Sequence, residues 1–471
     1  MAIQQQLFVD GEWTDGEGWF DVHDPWSGDL VASVALATPA QAEQAVAAAD
    51  RALREGLPPH RRAEILGAVR DVVERRAEEF AEVLRLEAGK PLAAARGEVT
   101  RALDTLRFAA EEARRLPGET VQLDAVASGA GTMAFTLPEP VGVVAAITPF
   151  NFPLNLVCHK VAPAVAAGCP VVLKPSERTP LSAGLLVEAF VEAGLPAGWL
   201  NLVTGDPGTV VGCWQDDPRT AVITFTGSAA VGWRLKAASP TKRHVLELGS
   251  NTAMVVLADA DLDAAVDAAV QSGFAFSGQA CVSLQRLYVE EQVAEEVARR
   301  LAEAAEALPS GDPSDPATVV GPLISAEATE RVASWVGQAR EGGARVLAGG
   351  EVVDGVLRPT VVTGVDATSP LVCEEVFGPV VTVVPVNNLD AALAEVNASR
   401  FGLNTAIWTR DLPRALRYCR EAEAGTVLVN RPPAYRADHM PYGGVKDSGQ
   451  GREGVRYAVA ELTEQKLIVL G

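Results

Sequence analysis

Short apolar runs alternate with helical segments along most of the chain. Runs such as VGVVAAIT (141–148), PVVLK (170–174) and AVITF (221–225) are rich in β-branched residues, and segments with helical spacing of apolar residues separate them. The same rhythm returns in the second half, with AMVVL (253–257) and VVTVVPV (380–386). Strands that alternate with helices of about a dozen residues indicate βαβ units and parallel sheets covered on both faces. The sequence therefore predicts two α/β domains.

Residues outside this rhythm complete the outline of the fold. An Ala- and Glu-rich stretch from about residue 39 to 115 predicts helices, and a Gly- and Ser-rich patch at 127–132 follows it. A chain of 471 residues is also too long for a single hydrophobic core. Ligands of open α/β sheets bind at the carboxyl ends of the strands. We expect the site where polar residues follow four strand ends, at 148–152, 174–177, 226–228 and 247–250.

Net charge and hydropathy argue against several classes of protein. The formal net charge is −21, whereas a protein that binds nucleic acid or a membrane surface needs a basic face. No apolar run approaches the roughly 20 residues that cross a bilayer, and the first residues lack a signal-peptide pattern. We therefore expect a soluble, cytoplasmic protein of enzyme size that binds neither nucleic acid nor membrane.

The six cysteines show neither a disulfide framework nor metal-ligand spacing. We therefore expect no metal site, and for five of the cysteines only a role as small buried residues. Cys281 differs because it ends the segment SGFAFSGQAC, in which Gly278 and Ala280 leave room for a substrate beside a nucleophilic thiol. An inert buried cysteine is the alternative for this residue.

Two polar residues at strand ends could act with such a thiol. Glu247, in HVLELGS, ends an apolar strand, which suits a general base with a raised pKa or, alternatively, a solvated charge. Asn151, in TPFNFP, lies between a strand and a helix that begins near Pro153. Its amide could stabilise an oxyanion or could serve only as a helix cap.

Two further strand ends suit a nucleotide. Lys174 ends an otherwise apolar strand and could bind a ribose hydroxyl or a phosphate, or could extend to solvent. The segment FTGSAAVG (225–232) is a strand-to-helix turn whose backbone donors suit a pyrophosphate. It lacks the full G-x-G-x-x-G pattern of dinucleotide folds, so it indicates a nucleotide only weakly.

Taken together, these segments resemble the aldehyde dehydrogenase superfamily over nearly the full length of the chain. Eight segments carry the resemblance in order: EAGKP (87–91), TPFNFP (148–153), KPSE (174–177), FTGS (225–228), LELG (246–249), GQAC (278–281), EEVFGP (374–379) and MPYGGVKDSGQGREG (440–454).

The resemblance implies an aldehyde dehydrogenase-like α/β fold with two doubly wound parallel-sheet domains and a small β oligomerisation element. It places the NAD-binding domain at 1–119 and 139–246 and the catalytic domain at 247–445. The oligomerisation element takes 120–138 and 446–471. Self-association as a homodimer or a homotetramer is expected, with the tail 461–471 supplying one β-piece.

The resemblance also implies the reaction and the role of each matched residue. An aldehyde is oxidised to a carboxylic acid with NAD(P) through a thiohemiacetal and a thioester on Cys281. The Asn151 side chain and the Cys281 backbone N–H form the oxyanion hole, and Glu247 activates water. The expected cofactor-binding residues are Thr148, Lys174, Ser176, Glu177, Gly227, Ser228, Gly249, Glu375 and Phe377.

Two matched positions bear on the cofactor. Glu177 would lie near the adenosine ribose, where a carboxylate accepts hydrogen bonds from a free 2′-hydroxyl and repels a 2′-phosphate. We therefore expect NAD, with NADP possible if Glu177 turns to solvent. Ser250 departs from the second Gly that the family often has after LELG, which could alter the backbone near Glu247.

Basic residues on segments that form the substrate tunnel in the family predict a short polar or anionic aldehyde. The segments 107–119 and 438–449 also resemble the subgroup that acts on lactaldehyde, glyceraldehyde 3-phosphate or phosphonoacetaldehyde. Alternatively, the two helical arginines pair with Glu98 or Glu111 at helical spacing, and specificity is broad. The expected substrate-binding residues are Arg101, Arg107, Phe152, Leu156, His159, Arg436 and His439.

Three other classes of function remain open at this point. A relative that transfers the acyl group to coenzyme A would generally lack the water-activating Glu247. A cysteine hydrolase would need a histidine, such as His159 or His439, beside Cys281, and would not need Lys174. A non-catalytic protein could also share the fold, because a fold alone does not define an activity.

Overall fold

The structure is a computed structural model that describes residues 3–471. The helices in this range are α1 (Pro39–Glu55), α2 (Pro59–Arg75), α3 (Ala77–Ala88), α4 (Leu92–Glu112), α5 (Asn155–Ala167), α6 (Leu181–Glu192), α7 (Pro207–Asp216), α8 (Ala229–Ala238), α9 (Leu262–Phe274), α10 (Glu291–Glu306), α11 (Ala326–Glu341), α12 (Pro370–Cys373), α13 (Leu389–Asn397), α14 (Leu412–Glu421) and α15 (Val455–Glu461). The strands are β1 (Ile3–Gln5), β2 (Leu7–Val9), β3 (Glu12–Thr14), β4 (Gly18–His23), β5 (Leu30–Leu36), β6 (Thr120–Val121), β7 (Met133–Pro140), β8 (Val143–Ile147), β9 (Val171–Lys174), β10 (Leu200–Leu202), β11 (Thr220–Thr226), β12 (Arg243–Glu247), β13 (Ala253–Val256), β14 (Arg286–Glu290), β15 (Arg345–Ala348), β16 (Val352–Val353), β17 (Val356–Leu357), β18 (Thr360–Thr363), β19 (Val380–Val386), β20 (Phe401–Gly402), β21 (Asn404–Trp408), β22 (Thr426–Val429), β23 (Val445–Lys446), β24 (Gly449–Gln450) and β25 (Thr463–Leu470).

The first large sheet has eight strands in the order β24-β12-β11-β8-β9-β10-β2-β3. Its five central strands are parallel, whereas β24, β2 and β3 are antiparallel to their neighbours. Every residue of β8 and β9 is buried, because α2–α6 pack on one face of the sheet and α1, α7 and α8 on the other. Strands that are covered on both faces have continuous apolar sequences.

The second large sheet has seven strands in the order β15-β18-β19-β14-β13-β21-β22. Only β15 is antiparallel to its neighbour, and the other six strands run in one direction. Helices α9 and α10 pack on one face, and α13 and α14 pack on the other. The polar ends of both sheets therefore come from loops that follow buried parallel strands.

The prediction of two doubly wound α/β layers is confirmed, although the sequence did not predict two of the parallel strands, β18 and β22. The antiparallel edges and the N-terminal strands β1–β5 were not predicted. Strand β4, for example, has buried, half-buried and exposed residues in alternation and lacks a continuous apolar run. An edge or a partly covered strand needs apolar residues on one side only, so its sequence signal is weaker.

The third sheet contains the antiparallel strands β25, β7 and β6 in that order. β25 pairs with β7 along its whole length, from Thr463 opposite Pro140 to Leu470 opposite Met133. Its outer edge has no partner strand within residues 3–471. This sheet carries a group of exposed apolar side chains: Met133, Leu137, Leu467, Val469 and Leu470.

Local sequence accounts for the ends of two helices of the first α/β layer, α1 and α5. Helix α1 begins after Thr38, whose side chain accepts from the Gln41 backbone while the Gln41 side chain accepts from the Thr38 backbone, which is a capping box. Helix α5 is buried at every residue and ends at Gly168, whose left-handed φ of 95° requires the absence of a Cβ. Within residues 3–471, no helix combines the length and the apolar sequence that crossing a membrane requires.

The predicted domain boundaries remain a prediction, and the chain crosses them at one point. Strand β24 lies in the range 446–471 that was assigned to the oligomerisation element. It nevertheless pairs with β12 of the first large sheet. Helix α15, in the same range, packs mainly against α4 and α5.

Candidate active site

A cavity of about 740 Å³ lies where the two large sheets present their polar ends. Three of the four predicted strand ends line it, those that follow β8, β11 and β12. The fourth, 174–177, follows β9, which is the neighbour of β8 in the sheet. The predicted residues that line the cavity are Arg101, Asn151, Phe152, Leu156, Gly227, Ser228, Glu247, Gly249, Cys281, Glu375, Phe377 and Arg436.

The loop that carries Cys281 has an unusual backbone. Phe276, Ser277 and Gly278 are three consecutive residues with positive φ, at 48°, 57° and 70°. The two side-chain-bearing residues adopt this strained conformation because the loop packs closely on the EEVFGP segment. A Cβ at Gly278 would lie 2.1 Å from the Gly378 carbonyl oxygen. Two signature segments distant in sequence are thus held in backbone contact next to the thiol.

The Cys281 thiol lies inside the cavity, with its Sγ 3.1 Å from the Tyr442 hydroxyl. Burial raises the pKa of Cys281 to about 11, although the Tyr442 hydrogen bond and the Arg436 charge act in the opposite direction. The thiol is therefore protonated at neutral pH in the protein without ligands. Because the thiolate is the nucleophilic form, a base must remove this proton.

Asn151 is held from two sides. Its Nδ2 donates to the Gln279 carbonyl at 2.9 Å, which leaves the second amide hydrogen for a ligand. Its own carbonyl accepts from the buried Lys90 Nζ at 2.6 Å. Lys90 in turn forms an ion pair with buried Glu98, which also accepts from the Leu154 backbone at 2.9 Å. The EAGKP segment thus fixes the loop that positions the amide.

Glu247 is buried at the end of β12, and neither of its carboxylate oxygens has a hydrogen-bond partner in the described part of the chain. Burial, followed by the charge of the nearby Glu453, raises the pKa of Glu247 well above its ordinary value. Its Oε1 faces Gly443, where a Cβ would approach to 2.9 Å. A buried carboxylate with unoccupied oxygens suits a group that accepts protons.

Sequence reasoning missed three residues behind this carboxylate. Glu453 is buried and pairs with Lys160 at 3.1 Å and with Arg436 at 2.9 Å. Although burial alone would raise it, these two cations hold the pKa of Glu453 below its ordinary value. Lys160 lies in a helix with apolar spacing, and Glu453 and Tyr442 lie in the terminal signature segment. The only signal that could have indicated these residues is the presence of charged side chains in segments that become buried.

The residues around the nucleotide end of the cavity fit a dinucleotide. The hydroxyls of Thr148 and Thr226 are buried and have no hydrogen-bond partner among residues 3–471. Helix α8 begins after Ser228 without a side-chain cap, so its first N–H groups point outward. A Cβ at Gly249 would lie 2.4 Å from Glu375 Oε2, so this glycine keeps the Glu375 carboxylate at the cavity wall.

The other predicted cofactor residues lie on the same side. Burial raises the pKa of Glu375 to about 7, although Glu375 accepts from the Ser250 backbone at 3.0 Å. Phe377 packs edge-on against Phe150, with ring centroids 5.7 Å apart. On the turn after β9, the buried Lys174 contacts the half-exposed Glu177 carboxylate, and Ser176 accepts from the Arg178 backbone at 3.2 Å.

The substrate end of the cavity is lined by four of the seven residues expected there. Phe152 and Leu156 supply apolar surface, and Arg101 and Arg436 supply positive charge. Arg101 does not pair with Glu98, as the alternative reading of the sequence had it. It forms a two-pronged ion pair with Asp438, with Nη2–Oδ1 at 2.7 Å and Nε–Oδ2 at 3.1 Å.

The other three residues expected to meet the substrate are corrected by the structure. Arg107 points away from the cavity and pairs with Asp104 at 2.8 Å and Glu111 at 3.8 Å along its own helix. His159 is fully buried and places its Nε2 2.9 Å from Asp438 rather than facing the cavity. His439 is exposed and stacks on Phe108. Helical spacing alone could not distinguish the inner face from the outer face here.

Comparisons with known proteins agree with this fold. The model of the aldehyde dehydrogenase family matches residues 13–468. The chain is 43% identical to the 3-sulfolactaldehyde dehydrogenase of Priestia aryabhattai over 468 residues, which are 99% of this chain and 98% of that protein. A solved structure of aldehyde dehydrogenase 21 from Physcomitrella patens, in complex with the reaction product succinate, has a TM-score of 0.97 at 38% identity. It covers 100% of this chain and 98% of its own.

A second solved structure has the same similarity in fold. The NADP-dependent glyceraldehyde-3-phosphate dehydrogenase of Bacillus halodurans C-125, complexed with NADP, has a TM-score of 0.97 at 33% identity. It covers 100% of this chain and 99% of its own. The fold and the site thus define an oxidoreductase with a nucleotide cleft beside a half-buried thiol.

The chain belongs to the aldehyde dehydrogenase family. The family resemblance predicted from the eight segments is confirmed, and so is the enzyme class, an NAD(P)-dependent aldehyde dehydrogenase. The roles of individual residues are not tested by these similarities. They rest on the geometry of the cavity.

The raised pKa of Cys281 predicts how the thiol reacts with iodoacetamide in the enzyme without cofactor. Below a folded pKa of about 11, the thiolate fraction and hence the alkylation rate rise about tenfold per pH unit. At pH 7.5, the exposed Cys373 and Cys419 are alkylated faster than Cys281. Peptide mass spectrometry of timed samples between pH 7 and 10 measures each rate. A Cys281 rate that is highest at pH 7.5 and flat above it contradicts the prediction.

Proposed function

We propose that the enzyme oxidises a short aldehyde that carries an anionic group, through a covalent intermediate on Cys281. The observation that carries this proposal is that Cys281, Asn151 and Glu247 line one cavity together with Arg101 and Arg436. In this proposal the nucleophile, the oxyanion donor and the base lie at one end of the cavity. The two arginines supply positive charge where the substrate binds.

In the first step, the Cys281 sulfur attacks the aldehyde carbon while Glu247 accepts the thiol proton. The resulting oxyanion is stabilised by the Asn151 amide and the Cys281 backbone N–H, and loss of one such donor slows the step about 10²- to 10³-fold. NAD(P), held by Lys174, Glu375 and the start of α8, would supply the hydride acceptor, and loss of the hydride from the same carbon would leave a thioester on Cys281. Glu247, after releasing its proton to solvent, then removes a proton from the water that cleaves the thioester.

The cluster behind Glu247 supports this double use of one carboxylate. Burial and the charge of Glu453 raise the pKa of Glu247, and Arg436 and Lys160 offset part of this rise, so the carboxylate can hold a proton and release it. The cluster also argues for water as the acyl acceptor, because an enzyme that hands its acyl group to another thiol has no need of this base. No histidine lies within hydrogen-bond distance of Cys281 in the described residues, which argues against a cysteine hydrolase.

For the cofactor, we propose NAD as the preferred partner, with NADP as a second one. Lys174 and Glu375 would hold ribose hydroxyls, the open start of α8 at Ser228 would hold the pyrophosphate, and Phe377 would lie beside the nicotinamide ribose. The Glu177 carboxylate, in contact with Lys174, would accept from a 2′-hydroxyl and repel a 2′-phosphate. Because Glu177 is 40% exposed, it can also turn away from the ribose.

For the substrate, the charges at the far end of the cavity support an anion. Arg436 is almost fully buried, and its Nε has no partner in the described part of the chain. Arg101 uses its Nε and Nη2 atoms to bind Asp438, which leaves the other edge of its guanidinium for a substrate. Two similar proteins are named for 3-sulfolactaldehyde and glyceraldehyde 3-phosphate, and a third is solved with its reaction product succinate; all three compounds carry anionic groups. We propose that this enzyme takes an aldehyde of the same kind.

For the assembly, we propose a homodimer or homotetramer in which β25 extends the second large sheet of a partner copy. β25 leaves one edge open, and β22 is the open edge of the seven-stranded sheet. Exposed Leu467 and Val469 on β25 and exposed Val429 on β22 supply apolar surface. An open apolar edge strand in a monomer would promote aggregation unless it is covered.

For the location, we propose the cytoplasm. All six cysteines are free thiols in the structure. Proteins of oxidising compartments commonly use their cysteines in disulfides. The thiol chemistry proposed for Cys281 also requires that this residue stay reduced.

The Glu247→Gln substitution tests the division between acylation and hydrolysis. Steady-state turnover falls about 10²- to 10⁴-fold, since no base activates water. A stopped-flow burst of reduced cofactor close to one per subunit remains at pH 9.5, where the thiol begins to ionise without Glu247. Cys281→Ala, as the control, shows neither burst nor turnover. Full turnover in either variant, with NAD or NADP, would refute the proposed mechanism.

The Arg101→Gln substitution tests the anionic end of the cavity. The KM for succinic semialdehyde rises about tenfold to a hundredfold, because hydrogen bonds to charged groups are lost and Asp438 is left without its cation. The KM for propanal stays within about twofold. Arg107→Gln, two turns further along the same helix but outside the cavity, is the matched control and changes neither value. A wild-type enzyme with its best kcat/KM for benzaldehyde would exclude the anionic substrate.

The Leu467→Lys/Val469→Lys variant tests the assembly. Two charges on the exposed face of β25 disfavour its burial against a partner, so light scattering after size exclusion gives the monomer mass. Val352→Lys, which alters a similarly exposed apolar strand residue outside the third sheet, leaves the oligomer intact. If the double variant keeps the wild-type mass, β25 does not form the interface.

A further inference from the structure

Tyr442 is the one side chain within residues 3–471 that hydrogen-bonds the Cys281 sulfur, and neither the sequence motifs nor the proposed mechanism gives it a role. Its hydroxyl lies 3.1 Å from Cys281 Sγ, and this is the only hydrogen bond of that hydroxyl within residues 3–471. The ring is only 2% exposed, yet the residue lines the cavity. A buried hydroxyl beside a reacting atom is suited to hydrogen-bond whatever is attached to that atom.

The Tyr442 ring is held rigidly in this position. The Arg436 guanidinium covers one face at 3.8 Å from the ring centroid. Arg436 is itself fixed by Glu453, and the backbones of Tyr442 and Glu453 exchange two hydrogen bonds, at 3.0 and 2.7 Å. A donor that is locked by its surroundings discriminates between ligands more sharply than a mobile one.

Covalent attachment of the substrate changes what the hydroxyl can bind. Once Sγ is bonded to the aldehyde carbon, it is a thioether-like sulfur, which is a weak acceptor. Carbon 2 of the substrate is then only two covalent bonds from Sγ. Carbon 1 places its oxygen at Asn151, so the substituents of carbon 2 extend into the space that Tyr442 and Arg436 line. Burial raises the pKa of Tyr442 well above its ordinary value, so the phenol keeps its proton and can donate it.

We propose that Tyr442 is a specificity-determining residue that hydrogen-bonds a hydroxyl group on carbon 2 of the substrate. The enzyme therefore prefers 2-hydroxyaldehydes to the corresponding aldehydes without this hydroxyl. With a 2-deoxy substrate, the buried phenol is left without a good partner in the transition state, and such an unmade hydrogen bond is unfavourable. This inference rests on the proposed function, because it requires the covalent bond to Cys281.

The test compares two substrates in two enzymes. Lactaldehyde and propanal differ only in the 2-hydroxyl, carry no charge and so do not depend on the arginines. Wild type and Tyr442→Phe are assayed for kcat/KM with each, with concentrations corrected for the hydrated fraction of each aldehyde. The ratio of lactaldehyde to propanal falls about threefold to tenfold in Tyr442→Phe, because one neutral hydrogen bond is lost.

A matched control separates this role from a general effect of losing a tyrosine hydroxyl. Tyr457 lies on α15, is exposed and does not line the cavity. Tyr457→Phe keeps the wild-type ratio. The iodoacetamide rate at Cys281 is measured in Tyr442→Phe as well. A change in that rate affects both substrates alike and cancels in the ratio.

The outcomes are distinct. An unchanged ratio in an active Tyr442→Phe enzyme overturns the inference and leaves the proposed function standing. If the variant does not fold, wild type alone decides, because a propanal kcat/KM equal to or above that of lactaldehyde also overturns it. Aldehyde oxidation that survives in Cys281→Ala overturns the proposed function, and the inference with it.

Discussion

The buried carboxylate of Glu453 organises the charged wall of the cavity. Two cations, Lys160 and Arg436, are buried with it, and burial of such charges is tolerated only when they are paired. The same carboxylate raises the pKa of Glu247, and Arg436 in turn covers Tyr442, which contacts the thiol. The pKa of Glu247 and the position of the Tyr442 ring therefore both depend on one ion cluster. Loss of a single member would leave an uncompensated charge in the interior.

Some signature segments take no direct part in the proposed reaction but position the segments that do. Lys90 and Glu98 bind the backbone around Asn151, and Gly278 allows the thiol loop to touch Gly378. A segment such as EAGKP thus belongs to the site although none of its residues faces the reacting atoms. Preorganisation of the oxyanion donor requires such support, because a small displacement of a donor is sufficient to weaken it.

Most of the fold and much of the site could be predicted, and the limits have physical causes. Parallel strands that are covered on both faces have continuous apolar sequences, so the strands that precede Asn151 and end at Glu247 were predicted. Edge strands such as β4 and β24 were not predicted, because a strand with one open side lacks a continuous apolar sequence. At the site, motif segments identified the residues that meet in the cavity. They could not show that His159 binds Asp438, or that Arg107 faces solvent, because both depend on the rotation of helices. Lys160 and Glu453 were not predicted for a related reason. Their ion pair forms only when the two elements that carry them pack together.

The return of the chain from the second large sheet to the first has a consequence for biosynthesis. Residues after about 440 supply Tyr442 and Glu453, add β24 beside β12 and pack α15 on α4 and α5. Glu247 at the end of β12 is therefore covered only after the strands of both α/β layers that precede this segment have been synthesised. A chain that stops before this segment carries Cys281, Lys160 and Arg436 but lacks the Glu453 carboxylate that pairs with both cations. It also leaves β12 as an edge strand of the first large sheet.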